Sequence, residues 1–430
     1  MNRKIRTAIS WATGFLLIAV TGLAQNVSIS LKATGEETLP GWVEIIGVEA
    51  GAFDPAIWEN GTFNLVPDVR FPMIEPLTGA YRNIYAPSVV EIPDGWRIFF
   101  GAWDGVPTPN DRIYSVTSRD FLSFENRHKV IEHNKFVHVC NVNALRFDDG
   151  SFSMVCTVYP DSRGLNKPAF FHSPDGQTWN DSPAPYPARL EDIVKVQGYS
   201  KFAEADINGM NVLLFEDGKY RLYFGNFRDF SQVYRASGTD GKTYQFEGPV
   251  LQGGYAVNDV KKFRVGKHDW YLMGLHLNGD RTWYSLSRDG LQFPTPRELF
   301  TNLSPADRYI VALGWVVQGK YQDSARRLLG VLYGAGHDSG LASNRIFAHW
   351  LQRKIVWVPA SGQRSEGQKA LGPSRQLLPL SASDGIEGRV ELYAEDGKTL
   401  IGRSTSLKLE SGKVYQLQMR SFGKAKDKHK

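Results

Sequence analysis

One hairpin pattern recurs five times along this chain, and that recurrence limits the fold more than any other feature. An apolar run ends in a polar turn, an aromatic-rich run follows, and a Gly-bearing loop comes next. The turns fall at Asp94-Gly95, Asp149-Gly150, Asp217-Gly218, residues 267–269 and Arg326-Arg327. The runs after them read WRIFF (96–100), FSMV (152–155), YRLYF (220–224), WYLM (270–273) and LLGVLY (328–333). A spacing of about 50–70 residues is the length of one four-stranded propeller blade with long loops. Four of the units carry a second marker, at Ser118 to Asp120, Ser173 to Asp175, Ser237 to Asp240 and Ser287 to Asp289, each followed by an aromatic: Phe124, Trp179, Tyr244 and Phe293. Asp and Gly tolerate the positive φ of a tight turn, and the aromatic opens the next strand. The fifth unit lacks this marker, as terminal repeats often do. Helix signals are scarce, so the class is all-β and the expected architecture is a five-bladed β-propeller.

The rest of the chain is divided by composition. Residues 1–24 combine a basic start (Arg3, Lys4, Arg6) with an apolar stretch at 11–23 too short for a comfortable membrane span. They read as a secretory signal, giving a secreted or periplasmic protein with no membrane span after its removal. Residues 25–84 hold two apolar runs and a lead-in, the blades occupy 85–358, 359–380 form a linker, and 381–430 hold three alternating strands and a basic tail. Three strands alone are marginal. The N- and C-terminal strands are therefore expected to combine into a small accessory β-sandwich. A net charge of +5 is spread along the chain apart from that tail, so nucleic acid is a poor partner, and a monomer is expected. Cys140 and Cys156 fall on the two strands of one hairpin. A two-residue turn at Asp149-Gly150 pairs residues whose numbers sum to an odd value, so two buried thiols are expected, unless a bulge shifts the register.

Connectivity sorts the loops. In an up-and-down blade the first and third turns share one face, and the longer connections emerge on the other. Those connections carry the polar chemistry: Trp103 and Asp104, Arg163, Arg228, His276, and His337 with Asp338 on one set; His138, Asn141, Asn143, Glu204, Asp206 and Asp259 near the starts of the inner strands. The expected catalytic residues are Asp259, Glu204 and Asp206, since neighbouring carboxylates can split their pKa values into acid and base. The expected binding residues are Trp103, Asp104, Arg112, His138, Asn141, Asn143, Arg163, Arg228, His276, Arg281, His337 and Asp338. Arg112, Lys167, Arg281 and Arg345 occupy equivalent positions, either as a cation ring for an anionic ligand or, the favoured reading, as ion-pair partners of nearby acids such as Asp111 and Asp280. No His/Asp/Glu group has ligand spacing, so no catalytic metal or cofactor is expected, with a structural calcium ion left open.

The segments at 85–100 (YAPSVVEIPDGWRIFF), 111–120 (DRIYSVTSRD) and 166–179 (NKPAFFHSPDGQTW) resemble the five-bladed propeller glycosidases: the arabinanase and β-xylosidase family 43, with the invertase-like and related clans. The resemblance covers roughly residues 80–358. It implies a glycoside hydrolase acting on an oligo- or polysaccharide; the cation ring, read as a ligand site, would make that carbohydrate an acidic one. In that family a base Asp opens the first inner strand, a second Asp the second, and an acid Glu the third. Here those positions fall on Ala86, on Asn141 or Asn143, and near Asn208-Gly209. Three readings follow: a hydrolase with relocated carboxylates, a glycan-binding propeller that has lost them, or a glycoside phosphorylase.

Overall fold

The structure, a computed structural model, describes residues 27–421 apart from 161–164, 200–209, 227–228, 321–322, 341, 361–363, 365–367 and 381–386. The proposed signal at 1–24 lies outside the described residues. Five sheets surround a central channel, antiparallel except that the short strands Tyr186–Pro187 and Lys195–Gln197 add in parallel to the outer edges of blades one and three. Blade one is built from Tyr81–Ile92, Gly95–Val106, Arg112–Ser118 and Glu125–Glu132; blade two from His138–Arg146, Phe152–Tyr159 and Lys167–Ser173. Blade three uses Val212–Glu216, Lys219–Asn226, Asp229–Gly238 and Thr243–Gln252; blade four uses Ala256–Val265, His268–His276, Arg281–Ser287 and Arg297–Thr301. Asp217 and Gly218 both have positive φ, at 51° and 73°, the two-residue turn that matches strand twist.

Blade five consists of Tyr309–Gln318, Arg327–Gly336 and Arg345–Leu351, and its fourth strand is Leu65–Pro67 from the N-terminal lead-in. The run at 354–358, expected to complete this blade, instead forms Lys354–Pro359 and pairs with Glu387–Tyr393. The ring is thus closed by a strand from the far end of the chain. Asp68 fixes that closure: its buried carboxylate accepts from Trp350 Nε1 at 2.7 Å, from the Gly372 amide at 3.0 Å and from Arg70.

The N- and C-terminal strands combine, as expected, but in one curled nine-stranded sheet in place of a two-sheet sandwich, and Lys369–Ala370 and Arg375–Pro379 from the expected linker join it. Val27–Glu37 pairs antiparallel with Lys413–Ser421, which pairs parallel with Trp42–Ile46. Its concave side holds Val43, Ile45, Trp357, Leu378, Val390 and Leu392, all buried. Among the described residues no helix is long and apolar enough to cross a membrane.

Inner strands carry the feature that positions everything else. Four of them insert one extra residue near the same end, between Tyr85 and Ser88, Cys140 and Asn143, Val257 and Asp259, and Ile310 and Ala312. Ala86 and Asn141 take left-handed φ at 50° and 51° there. Bulges of this kind sharpen twist and re-aim side chains. The second one also settles the cysteines. The hairpin pairs residues summing to 298, because Phe147 rather than Asp148 closes the turn, and the bulge changes the sum to 297. Cys140 therefore faces Thr157, and both thiols are free and buried, by a different route from the parity argument above.

Below the bulges, side chains join neighbouring inner strands. Ser88 Oγ accepts the Ala144 amide at 2.9 Å, Asn143 Oδ1 the Leu213 amide at 3.0 Å, and Asn258 Oδ1 the Leu313 amide at 3.2 Å. Asp259 accepts from the Trp315 amide at 2.9 Å, Asn143 Nδ2 at 3.0 Å and Lys261 Nζ at 2.9 Å, linking blades two, four and five. Inner-edge amides have no strand beside them, and a buried N–H without a partner is costly. Between blades five and one the contact is backbone to backbone: a Cβ on Gly314 would sit 2.1 Å from Pro87 O. Since Lys261 is buried with Asp259, Asp259→Asn should leave an uncompensated cation and cost about 3 kcal/mol in urea unfolding. A loss below about 1 kcal/mol would contradict this role.

Candidate functional site

Among the described residues, several of the long connections and inner-strand ends meet around a cavity of about 380 Å³. Its wall includes Asn83 and Tyr85 from the first strand of blade one, Trp103 from the second, and Asp111 ahead of the third. Blade two contributes His138, Cys140, Asn141 and Tyr159, and later blades add Met210, His276, Asn278, Val311 and Gly340. Tyr81 extends the aromatic edge, its ring centre 6.3 Å from that of Trp103.

Of the residues expected from sequence, Trp103, His138, Asn141 and His276 meet here. Others have different places. Asp259 is fully buried in the channel, and Asn143 beside it spends both amide atoms on Asp259 and Leu213. Asp104 is buried, taking the Leu77 amide at 2.6 Å and Arg127 at 3.4 Å; desolvation raises its pKa, and these donors partly oppose that. Arg112 is held by Glu132 at 2.7 Å, Arg281 by Asp280 and Glu298 at 2.9 Å each, and Arg345 by Glu75 at 2.9 Å. The arginines of the suspected cation ring are thus ion-pair partners, as the favoured reading had it, although Arg112 chooses Glu132 and not Asp111. His337 and Asp338 are exposed and paired with each other at 2.8 Å. Arg163, Glu204, Asp206 and Arg228 lie outside the described residues.

Asp111 is the one carboxylate lining the cavity among the described residues. It is 8% exposed. One carboxylate oxygen, Oδ2, lies 2.9 Å from His138 Nδ1, which accepts the Asp111 backbone N–H at 3.2 Å; the other, Oδ1, is buried. The backbone clamps the pair, since Val139 N donates to Asp111 O at 3.0 Å and Asn110 Nδ2 to Val137 O at 2.9 Å. Burial, and then the charge of Asp111, push the Tyr85 phenol well above its usual range, so it stays protonated. The same two causes push up the Cys140 thiol, which leaves it a poor nucleophile.

Sequence reasoning passed over Tyr85, Asp111, Tyr159 and Asn278. A signal existed for Asp111: a polar residue precedes each strand-opening cation, as Asp111, Asn166, Asp280 and Asn344. Asn166 turns to the Tyr159 hydroxyl at 3.2 Å, and the Asn344 amide donates to Asn83 Oδ1 at 3.0 Å. These positions therefore serve the cavity wall in several blades.

His276 is held neutral. Asn258 Nδ2 donates to its Nδ1 at 2.7 Å, so Nε2 carries the proton and donates to Asn278 Oδ1 at 2.9 Å. The orientation of the Asn258 amide is fixed by the Leu313 N–H that its oxygen accepts. Burial lowers the His276 pKa to about 4, partly opposed by Asn278.

No protein-family model matches the chain, and no curated protein matches it in sequence. Solved structures similar to it include a glycosyl hydrolase from Bacteroides ovatus, at 13% identity over 71% of this chain and 97% of that one, with a TM-score of 0.47. The catalytic domain of the Coprinopsis cinerea GH62 α-L-arabinofuranosidase is 14% identical over 67% and 97%, with a TM-score of 0.46. A GH62 hydrolase in complex with xylotriose is 13% identical over 69% and 100%, with a TM-score of 0.48. At these identities the likeness concerns the course of the propeller alone.

The neutral state of His276 has a measurable consequence. Unfolded chain takes up a proton there below pH 6.5, the folded chain only near pH 4, so stability falls as pH drops across that interval. The loss at its lower end is about 3 kcal/mol. Buried His349, lowered to about 3, adds a loss of the same sign. Urea unfolding at pH 7 and pH 4.5 should show a smaller pH effect in His276→Gln than in the wild type; equal pH effects would contradict the assignment.

Proposed function

We propose that this propeller acts on a carbohydrate whose end residue enters the funnel, and that it hydrolyses the glycosidic bond there. The observation that carries the reading is the composition of the cavity wall. Trp103, Tyr85 and Tyr159 supply aromatic surface for the apolar face of a sugar ring. Asn83, Asn141 and Asn278 supply amides for hydroxyl groups, and Asp111 supplies a carboxylate for proton transfer. A volume of about 380 Å³ falls within the range of small-ligand clefts.

The substrate in this reading is a neutral sugar. Among the described residues no Lys or Arg lines the cavity. The same fact disfavours phosphorolysis, which needs cations to hold phosphate. The apolar leader at 1–24 supports export of the protein, so the activity is assigned to a secreted or periplasmic enzyme.

A second reading has its own support. Ala86 and Asn141 stand at the bulges where the resembled family carries carboxylates, and neither transfers protons. The propeller would then bind glycans without cleaving them. Calorimetry and reducing-end assays with arabinotriose, xylotriose and mannotriose separate the two. On the best ligand, Trp103→Ala should weaken binding about tenfold. Asp111→Asn should keep binding while hydrolysis falls about a hundredfold or more. Binding without turnover by the wild type would select the binding reading, and no binding of any trisaccharide would overturn both.

A further inference from the structure

The curled terminal sheet turns a strongly basic face away from its apolar core. Along Glu387–Tyr393 the side chains alternate: Val390 and Leu392 face the core, and Arg389, Glu391 and Tyr393 face outward. Glu391 is in register with Arg403, Arg403 with Ser28, and Ser28 with Arg420, so one row crosses four adjacent strands on the outer side. At the usual strand spacing this row spans roughly 14 Å. Lys32 stands two outward positions beyond Ser28 on its strand. We propose that this face is a second carbohydrate site, which binds an acidic polysaccharide bearing carboxylate or sulfate groups. It takes the charged units for which the funnel offers no described cation, and it does not depend on the funnel reading.

Three observations carry it. First, the charge is unbalanced. Arg364, Arg389 and Arg403 converge on Glu391, at 3.4, 3.3 and 3.1 Å, and none of the three pairs with another acid among the described residues. Three guanidinium charges against one carboxylate leave two uncancelled. Arg420 and Lys32, both exposed, add two more and form no ion pair among the described residues. The other carboxylate facing outward on the Glu391 strand, Glu387, stands at its end in register with Lys408.

Second, the arginines are held in place. Glu391 is fully buried and also accepts the Tyr393 hydroxyl at 2.8 Å. The three guanidinium side chains are about half exposed, so each is anchored at one point while its remaining donors face water. Such forks match a carboxylate or a sulfate, and their ordering precedes the ligand.

Third, the face suits a glycan. Cations spread over a row of strands match charges repeated along an extended chain better than one small ion. Ser28, Ser30 and Gln418 stand between them as partners for hydroxyl groups. A membrane-surface site would set apolar groups beside the cations. Of the large apolar side chains exposed among the described residues, Met419 is the one within these four strands, and it is in register with Ile29 on the core-facing set.

The test uses the full-length protein, with folding of each variant checked by circular dichroism. Polygalacturonate, dextran sulfate and neutral dextran are compared by affinity electrophoresis, and phosphatidylcholine vesicles containing phosphatidylserine by sedimentation. At least one acidic polysaccharide should bind, dextran should not, and affinity should fall as salt rises. The double variant Lys32→Glu/Arg420→Glu, which breaks no described ion pair, should weaken binding about tenfold or more and leave trisaccharide binding unchanged. Arg403→Gln, which keeps two arginines on Glu391, should weaken it in the same direction. Failure of both acidic polysaccharides to bind, with or without vesicle binding, would overturn the proposal. So would an affinity unmoved by salt or by both variants. Loss of trisaccharide binding alone would count only against the funnel reading.

Discussion

Inner-edge amides with no strand to pair with are the constraint on which this propeller depends. Each blade turns the edge of its first strand toward the channel, where a bare N–H would be buried. Ser88, Asn143, Asn258 and Asp259 reach across to the amides of Ala144, Leu213, Leu313 and Trp315. Between blades three and four the link is a charge cluster, in which Glu216 takes Lys262 at 2.8 Å and the Tyr271 hydroxyl at 2.7 Å. Between blades five and one it is the bare approach of Gly314 to Pro87. Polar side chains at the channel are thus first of all structural, and only those above the bulges are left for a ligand.

That division explains the electrostatics of the funnel. Asp259 and Lys261 cancel one another inside the channel, and Arg112, Arg281 and Arg345 are each tied to an acid. His276 is locked as a neutral ring by Asn258 and Asn278. What remains at the described cavity wall is the Asp111 carboxylate and the His138 imidazole, set among phenols, amides and an indole. Such a wall suits an uncharged polyhydroxylated molecule better than a phosphate or a uronate, because either anion would have to be desolvated without a described cation to receive it.

The hairpin rhythm was legible in the sequence because a tight turn needs Asp or Gly at fixed places, and the long-loop face followed from strand alternation. Two things were not. Leu65–Pro67 is a three-residue strand, too short to show a period, and its partner lies nearly three hundred positions away. The second is the facing of the inner-strand residues. A one-residue insertion reverses which side a residue faces, and the sequence shows no mark of it. Asp259, one residue past its bulge, therefore enters the channel, while Asp111, which looked like a partner for Arg112, turns to His138 instead.

A crystal structure of Asp111→Asn soaked with xylotriose tests the account most directly. It predicts a sugar ring lying in the funnel against Trp103, beside residue 111. Sugar bound elsewhere, as in the groove formed by Pro249 and Leu251 on the outer strand of blade three and Phe293 in the last turn of blade four, with the funnel left empty, would contradict it.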